Sequence, residues 1–224
     1  MKKLTRKKKQ QLRRNIILVA AAGIVAAALL GMVLSVTGFI YNRYFAKHPV
    51  VAYDKTEDFL TTNPNSRPGT KLKHVKGIVI HYTANPGTGA KANRDYFESR
   101  KDQEEISSNK VSSHFVIGLK GEIVQCIPLD EIAYASNDRN SDTISIECCH
   151  PRKNGKFNRK TYHALIRLCA WLCDRYEIES PDDIIRHYDV TGKLCPLYYV
   201  KHSDKWKKLR EDIWNKVLDS QYKS

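Results

Sequence analysis

The stretch IILVAAAGIVAAALLGMVLSVTGFI, Ile16 to Ile40, lacks any ionisable residue, and the segment before it, MKKLTRKKKQQLRR, lacks any acid. As a helix rising ~1.5 Å per residue, the apolar run reaches ~37 Å, enough to cross a hydrocarbon core of ~30 Å with tilt. It also lacks a clear A-x-A site and exceeds the ~7–15 apolar residues of a cleaved signal peptide, which argues for an uncleaved anchor. The basic flank then stays cytoplasmic, and the chain after about Tyr41 lies outside. Formal charge is +14, but the tail alone carries eight Lys and Arg, leaving only +6 for the remainder. That surplus weakens a nucleic-acid reading, and no nucleic-acid partner is expected. Internal repeats and low-complexity segments are absent too, so the rest reads as one ordinary domain with some extra sequence. The expected layout is a basic cytoplasmic tail over 1–15, a transmembrane anchor over 16–41, a lead-in over 42–74 and a domain over 75–220.

Residues 42 to about 74 show no sustained periodicity and contain Pro49, Pro64 and Pro68, so NPNSRPGTKL reads as an extended lead-in ending in a turn. From Val75 the pattern changes. VKGIVIHYTA predicts a buried strand running into His81. ANRDYFESRKDQEE predicts a surface helix, and SSHFVIGLKGEIVQCIP two strands around the Lys120–Gly121 turn. DTISIECC alternates, with Ile144 and Ile146 on one face and Ser145 and Glu147 on the other. A helix from about Arg159 to Tyr176, a short strand DDIIRH and a C-terminal helix striped by Trp206, Leu209, Ile213, Trp214 and Val217 complete the series. Strands interleaved with helices indicate an α/β layer domain.

Six cysteines in an exported chain suggest disulfides. If Cys195 has another task, five remain, and an odd number cannot all pair internally. Cys169 and Cys173 fall on the apolar stripe of Tyr162, Leu165, Ile166, Leu172 and Tyr176, so they read as core thiols. His163 lies off that face, which argues against a metal site with them.

The chemistry concentrates at strand ends. His81 ends the first strand of the domain, His187 ends a later one, and Cys195 comes next in RHYDVTGKLCP. Two histidines and a cysteine suit a catalytic zinc, which takes three protein ligands and leaves a fourth position open. Each residue taken alone is more often structural, and Cys195 can equally be a core thiol or a nucleophile. Glu147 adds weight to zinc. It stands on the polar side of an otherwise apolar strand, where a carboxylate needs a partner or a task, and it can take a proton from an attacking water. Lys193, two residues before Cys195, turns to the same side of an extended loop and can stabilise an oxyanion.

The segments IHYTAN, SSHF, ISIECC and RHYDVTGKLCP, in that order, resemble the zinc-dependent N-acetylmuramoyl-L-alanine amidases of the phage-lysozyme and peptidoglycan-recognition type. The resemblance covers about Thr70 to Val217. It implies an α/β fold with a mixed central sheet flanked by helices, and one Zn2+ held by His81, His187 and Cys195. It implies Glu147 as general base and Lys193 as the group that stabilises the transition state. The implied reaction is hydrolysis of the lactyl amide between N-acetylmuramic acid and L-alanine, with peptidoglycan or muropeptides as partner. Ser113 stands where phage-lysozyme-type enzymes carry a catalytic tyrosine, which leaves acid–base work to Glu147. Asn85, Ser113 and His114, beside the ligand loops, are expected at the substrate, His114 alternatively as a structural residue. Tyr82, where many relatives have a second histidine, is assigned no chemistry. Two other readings stay open: a non-catalytic peptidoglycan receptor, which typically lacks the cysteine ligand, and a hydrolase with Cys195 as nucleophile and His187 as base.

Overall fold

The computed structural model describes residues 55–103 and 109–222, together with scattered positions between 6 and 35. Half of the residues of the expected anchor over 16–41 fall outside the described residues. Among the described residues no helix is long and apolar enough to cross a membrane. Residues 50–223 form one compact unit, and the whole sheet with its covering helices lies within it.

Six strands make a single mixed sheet in the order β1-β4-β3-β5-β2-β6. They are β1 (Lys55–Glu57), β2 (Gly77–Tyr82), β3 (Phe115–Ile117), β4 (Ile123–Gln125), β5 (Thr143–Cys148) and β6 (Ile184–Arg186). Only β3 and β4 pair antiparallel, through the turn at Lys120–Gly121. The central pair β2 and β5 runs parallel, with Ile78 opposite Ile144, Ile80 opposite Ile146 and His81 opposite Glu147. Side chains alternate along a strand, so this register fixes which residues share a face.

One face is apolar. Ile78, Ile80, Phe115, Ile117, Ile144 and Ile146 pack against α2 (Arg159–Arg175) and α5 (Ser203–Tyr222), the latter preceded by the short α4 (Leu197–Lys201). Helix α2 brings Leu165, Leu168, Cys169, Leu172 and Cys173, all buried, while His163 stays exposed as its position off the stripe predicts. It starts where Asn158 accepts a hydrogen bond from the Thr161 amide at 2.9 Å, an N-cap. The Asn158 and Thr161 side chains also donate to Leu119 and Gly118 carbonyls, pinning the helix start to the β3–β4 turn. All six cysteines are buried and unpaired.

The other face is covered by α1 (Ala90–Glu98), which runs on into a 3-10 turn over Ser99–Asp102, and by the segment before β2. That segment, expected as a lead-in, belongs to the folded unit from residue 55. Its β1 extends the sheet, Leu60 is fully buried, and Asn65 and Ser66 are buried through hydrogen bonds. Arg67 makes a two-pronged ion pair with Glu131 at 2.8 and 2.9 Å and donates to the Leu60 carbonyl. Polar groups do the packing here, and so it has no apolar period to read.

Candidate active site

His81, Glu147 and His187 meet at the carboxyl ends of the parallel strands, where open α/β sheets bind ligands. His81 and Glu147 are register partners on β2 and β5, on the face away from α2. His187 comes after β6 as the first residue of a short helix, α3 (His187–Thr191), rather than ending the strand. Asp189 caps α3 by accepting from the Arg186 amide at 2.8 Å, and the Arg186 guanidinium holds it at 2.6 Å. Gly192 then turns the chain with φ 77°, a conformation that disfavours side-chain-bearing residues. The Tyr188 amide donates to the Cys195 carbonyl at 2.9 Å, which folds the loop back and delivers the thiol beside the imidazoles.

The donor atoms of His81, His187 and Cys195 lie within 4.8 Å of one another, and all three residues are buried. Cys195 Sγ stands 3.8 Å from His81 Nδ1, and the two imidazole rings are 4.6 Å apart, tilted by 53°. Zinc bonds of about 2.0 Å to nitrogen and 2.3 Å to sulfur separate two tetrahedral ligands by about 3.6 Å, so the cluster fits that ion. Electrostatics agree. Burial, with His187 and Lys193 nearby, holds His81 well below the usual imidazole range. Burial and Lys193 lower His187 as well. Burial and the Glu147 charge push the Cys195 thiol up to about 12. Two neutral imidazoles are ready donors, whereas the thiol ionises when a cation joins it.

Glu147 faces the same cavity, of about 490 Å³, as the three donors and Lys193. Its Oε2 is buried without a hydrogen-bond partner, and burial raises the carboxyl to about 7, with Lys193 pulling the other way. Such a group is poised near neutral pH. Five residues singled out in the sequence thus share one cavity.

Three others do not line it. Asn85 is exposed and its carbonyl accepts from the Thr88 hydroxyl at 2.7 Å. Ser113 is buried and donates to the Ser145 carbonyl at 2.9 Å. His114 is buried between the Ser145 amide at 3.1 Å and the Glu131 carbonyl at 2.9 Å, the structural role weighed for it. Burial keeps it neutral down to about 4. The neighbour Ser112 lines the cavity instead, as do Tyr82, Asn93, Tyr96, Lys110 and Tyr134. Ser112 and Tyr82 belong to the SSHF and IHYTAN segments, whereas no apolar period or motif marks Asn93, Tyr96, Lys110 and Tyr134 in the sequence.

A family profile described as N-acetylmuramoyl-L-alanine amidase matches residues 71–197. The N-acetylmuramoyl-L-alanine amidase CwlL of Bacillus licheniformis is 37% identical over 169 residues, covering 70% of this chain and 46% of its own. The N-acetylmuramoyl-L-alanine amidase BlyA of Bacillus subtilis (strain 168) is 34% identical over 171 residues, covering 67% and 44%. The chain therefore spans about half the length of the curated relatives it matches. Among solved structures, the catalytic domain of XlyA superposes with a TM-score of 0.59 at 27% identity, over 72% of this chain and 99% of that one. PlyL, at 22% identity and a TM-score of 0.60 over 72% and 97%, shares the fold.

Proposed function

The chain belongs to the N-acetylmuramoyl-L-alanine amidase family, and from that premise we propose that it hydrolyses the amide joining N-acetylmuramic acid to L-alanine in peptidoglycan. One observation carries the reading: the unpaired carboxylate oxygen of Glu147 shares a cavity with the His81, His187 and Cys195 donors. Those three residues would hold zinc, which supplies Lewis acidity at the scissile amide when bound.

The side chains do the rest. Glu147 accepts a proton from the attacking water as the water oxygen bonds to the lactyl carbonyl carbon. The Lys193 ammonium, on the rim of the cavity, stabilises the negative charge that develops on the carbonyl oxygen. Glu147 then returns the proton to the leaving nitrogen, the C–N bond breaks, and the products are a muramic carboxylate and a free alanine amine. The cysteine-nucleophile reading has less support, because burial holds the Cys195 thiol protonated at neutral pH.

The membrane part of the proposal rests on the basic tail and the uncharged run Ile16–Ile40. It places the enzyme as a single-pass protein with its amino terminus in the cytoplasm and its catalytic domain facing the wall.

The test is incubation of the whole chain, in mild detergent, with purified peptidoglycan, and then mass spectrometry for stem peptides with a free L-alanine amine. Release abolished by a chelator and restored by zinc is the expected result. Release that survives chelation but not thiol alkylation would transfer the role to Cys195. Retention of wall fragments without cleavage would make the protein a receptor.

A further inference from the structure

Two neighbouring residues in the loop before β5 reach both imidazoles of the metal cluster. Ser136 Oγ lies 3.3 Å from His81 Nε2, and Asn137 Oδ1 lies 3.3 Å from His187 Nε2. The histidines arrive from separate elements, the end of β2 and the start of α3, so this loop is what they have in common. A carbonyl oxygen can only accept, so the Asn137 contact puts the proton of His187 on Nε2 and leaves Nδ1 with a free lone pair. In His81 the Nδ1 atom is the one beside Cys195 Sγ, so the Ser136 contact likewise falls on the nitrogen not turned to the thiol.

The loop is itself fastened. Asn140 Oδ1 accepts from the Ala135 amide at 3.0 Å and from the Ser136 amide at 2.6 Å. Asn137 has φ 51°, a left-handed conformation that asparagine adopts more readily than most residues with a side chain. Ser136 is buried and does not line the cavity. A serine hydroxyl held there has a ring nitrogen as its neighbour, not substrate.

On the zinc reading of the cluster, we propose that Ser136, Asn137 and Asn140 form the positioning frame of the metal centre. Ser136 and Asn137 set the tautomer and orientation of the two histidine ligands, and Asn140 holds the loop that presents them. Partners of this kind orient ligating histidines and raise their basicity. Asn137 and Asn140 also line the cavity, and all three are assigned as positioning residues because their contacts run to the imidazoles and to the loop backbone.

The test measures zinc affinity of the full chain in detergent by competition with a chromogenic chelator, alongside the visible spectrum of the cobalt-substituted protein. Asn137→Gly removes the acceptor while tolerating the left-handed backbone; Asn137→Asp keeps an acceptor and cannot donate. Asn140→Ala and Asn140→Asp form the matching pair. Asn137→Gly should weaken zinc binding about 10-fold and Asn140→Ala about 10- to 100-fold, both with altered cobalt spectra, while each Asp variant stays within about threefold of the parent. Melting curves report folding, and if Asn140→Ala unfolds, Asn137→Gly decides, since Asn137 is an exposed side chain. Folded Asn137→Gly that binds zinc like the parent overturns the proposal. So does an Asp variant as weak as its partner, or a raised KM with unchanged zinc affinity, which would mark substrate contacts instead. A parent chain that binds no zinc overturns the zinc reading itself, a result visible before any variant is compared.

Discussion

On one face of the central sheet Ile78, Ile80, Ile144 and Ile146 are sealed under α2 and α5; on the other, a single residue further along the same two strands, stand His81, Ser145 and Glu147. The backbone is shared, and only the parity of the position differs. The apolar face loses water entirely and gains free energy from it, about 25 cal/mol per Å² of surface buried. The polar face buries imidazole and carboxylate groups at a cost, and each buried group there either finds a partner, as Ser145 does with Ser113 and His114, or is left unpaired, as Glu147 Oε2 is. The contrast teaches that the stable face underwrites the reactive one: strands anchored on one side can hold uncomfortable side chains in place on the other.

Substitutions on opposite faces should therefore fail in opposite ways. The largest effect is expected from Glu147→Gln, which keeps the shape and removes the proposed base. Turnover on purified peptidoglycan should fall by about 10²- to 10⁴-fold with the melting temperature unchanged or slightly raised. An active Glu147→Gln enzyme would remove Glu147 from the mechanism. Its counterpart, Ile146→Ala, truncates a fully buried side chain next to Glu147 in sequence but on the apolar face. It should cost about 2–5 kcal/mol in urea unfolding. Activity per folded molecule should stay near the parent's. If the two variants share one phenotype, the faces are not independent.

His114 sharpens the comparison, because it is an imidazole on the polar side whose role is to pack. Its folded value of about 4 lies below the ordinary 6.5, so the unfolded chain takes up a proton first as pH falls. Stability is then lost between pH 6.5 and 4, at about 1.4 kcal/mol per pH unit and about 3 kcal/mol in all. Chemical unfolding across that window should show the slope in the parent and a shallower one in His114→Gln; equal slopes would assign the loss to other groups. The smallest effect belongs to neither face. Lys91→Ala removes an exposed ion pair with Asp95 at 2.7 Å on the solvent side of α1 and should change stability by about 0.3–0.5 kcal/mol. A larger shift in the melting temperature would give this helix more weight than its exposure allows.

The same parity explains what was legible. Alternation in DTISIECC assigned Ile144 and Ile146 to one face and Glu147 to the other, and the register with β2 then put Glu147 beside His81. Strand ends and the close spacing of Lys193 and Cys195 made these residues and His187 candidates, and the resemblance joined them to His81 and Glu147 as one site. Legibility stopped where burial is achieved by hydrogen bonds. Asn65, Ser66, Ser113 and His114 are as buried as any leucine, yet their residue types announce solvent or chemistry. Hence residues 55–74 read as a lead-in, although they complete the sheet. Asn137 and Asn140 have the composition of an ordinary turn, and nothing in their spacing ties them to histidines carried by other elements.

The order in which the donors occur has a further consequence for biosynthesis. His81 sits on β2, whose sheet neighbours β5 and β6 both come later in the chain, and Cys195 is reached only after β6. Pairings between segments so distant in sequence form late and slowly. A chain interrupted anywhere before Cys195 holds at most two of the three donors and no closed loop to present the last. The three-donor cluster therefore forms only once β5, β6 and the loop that follows them have all been made.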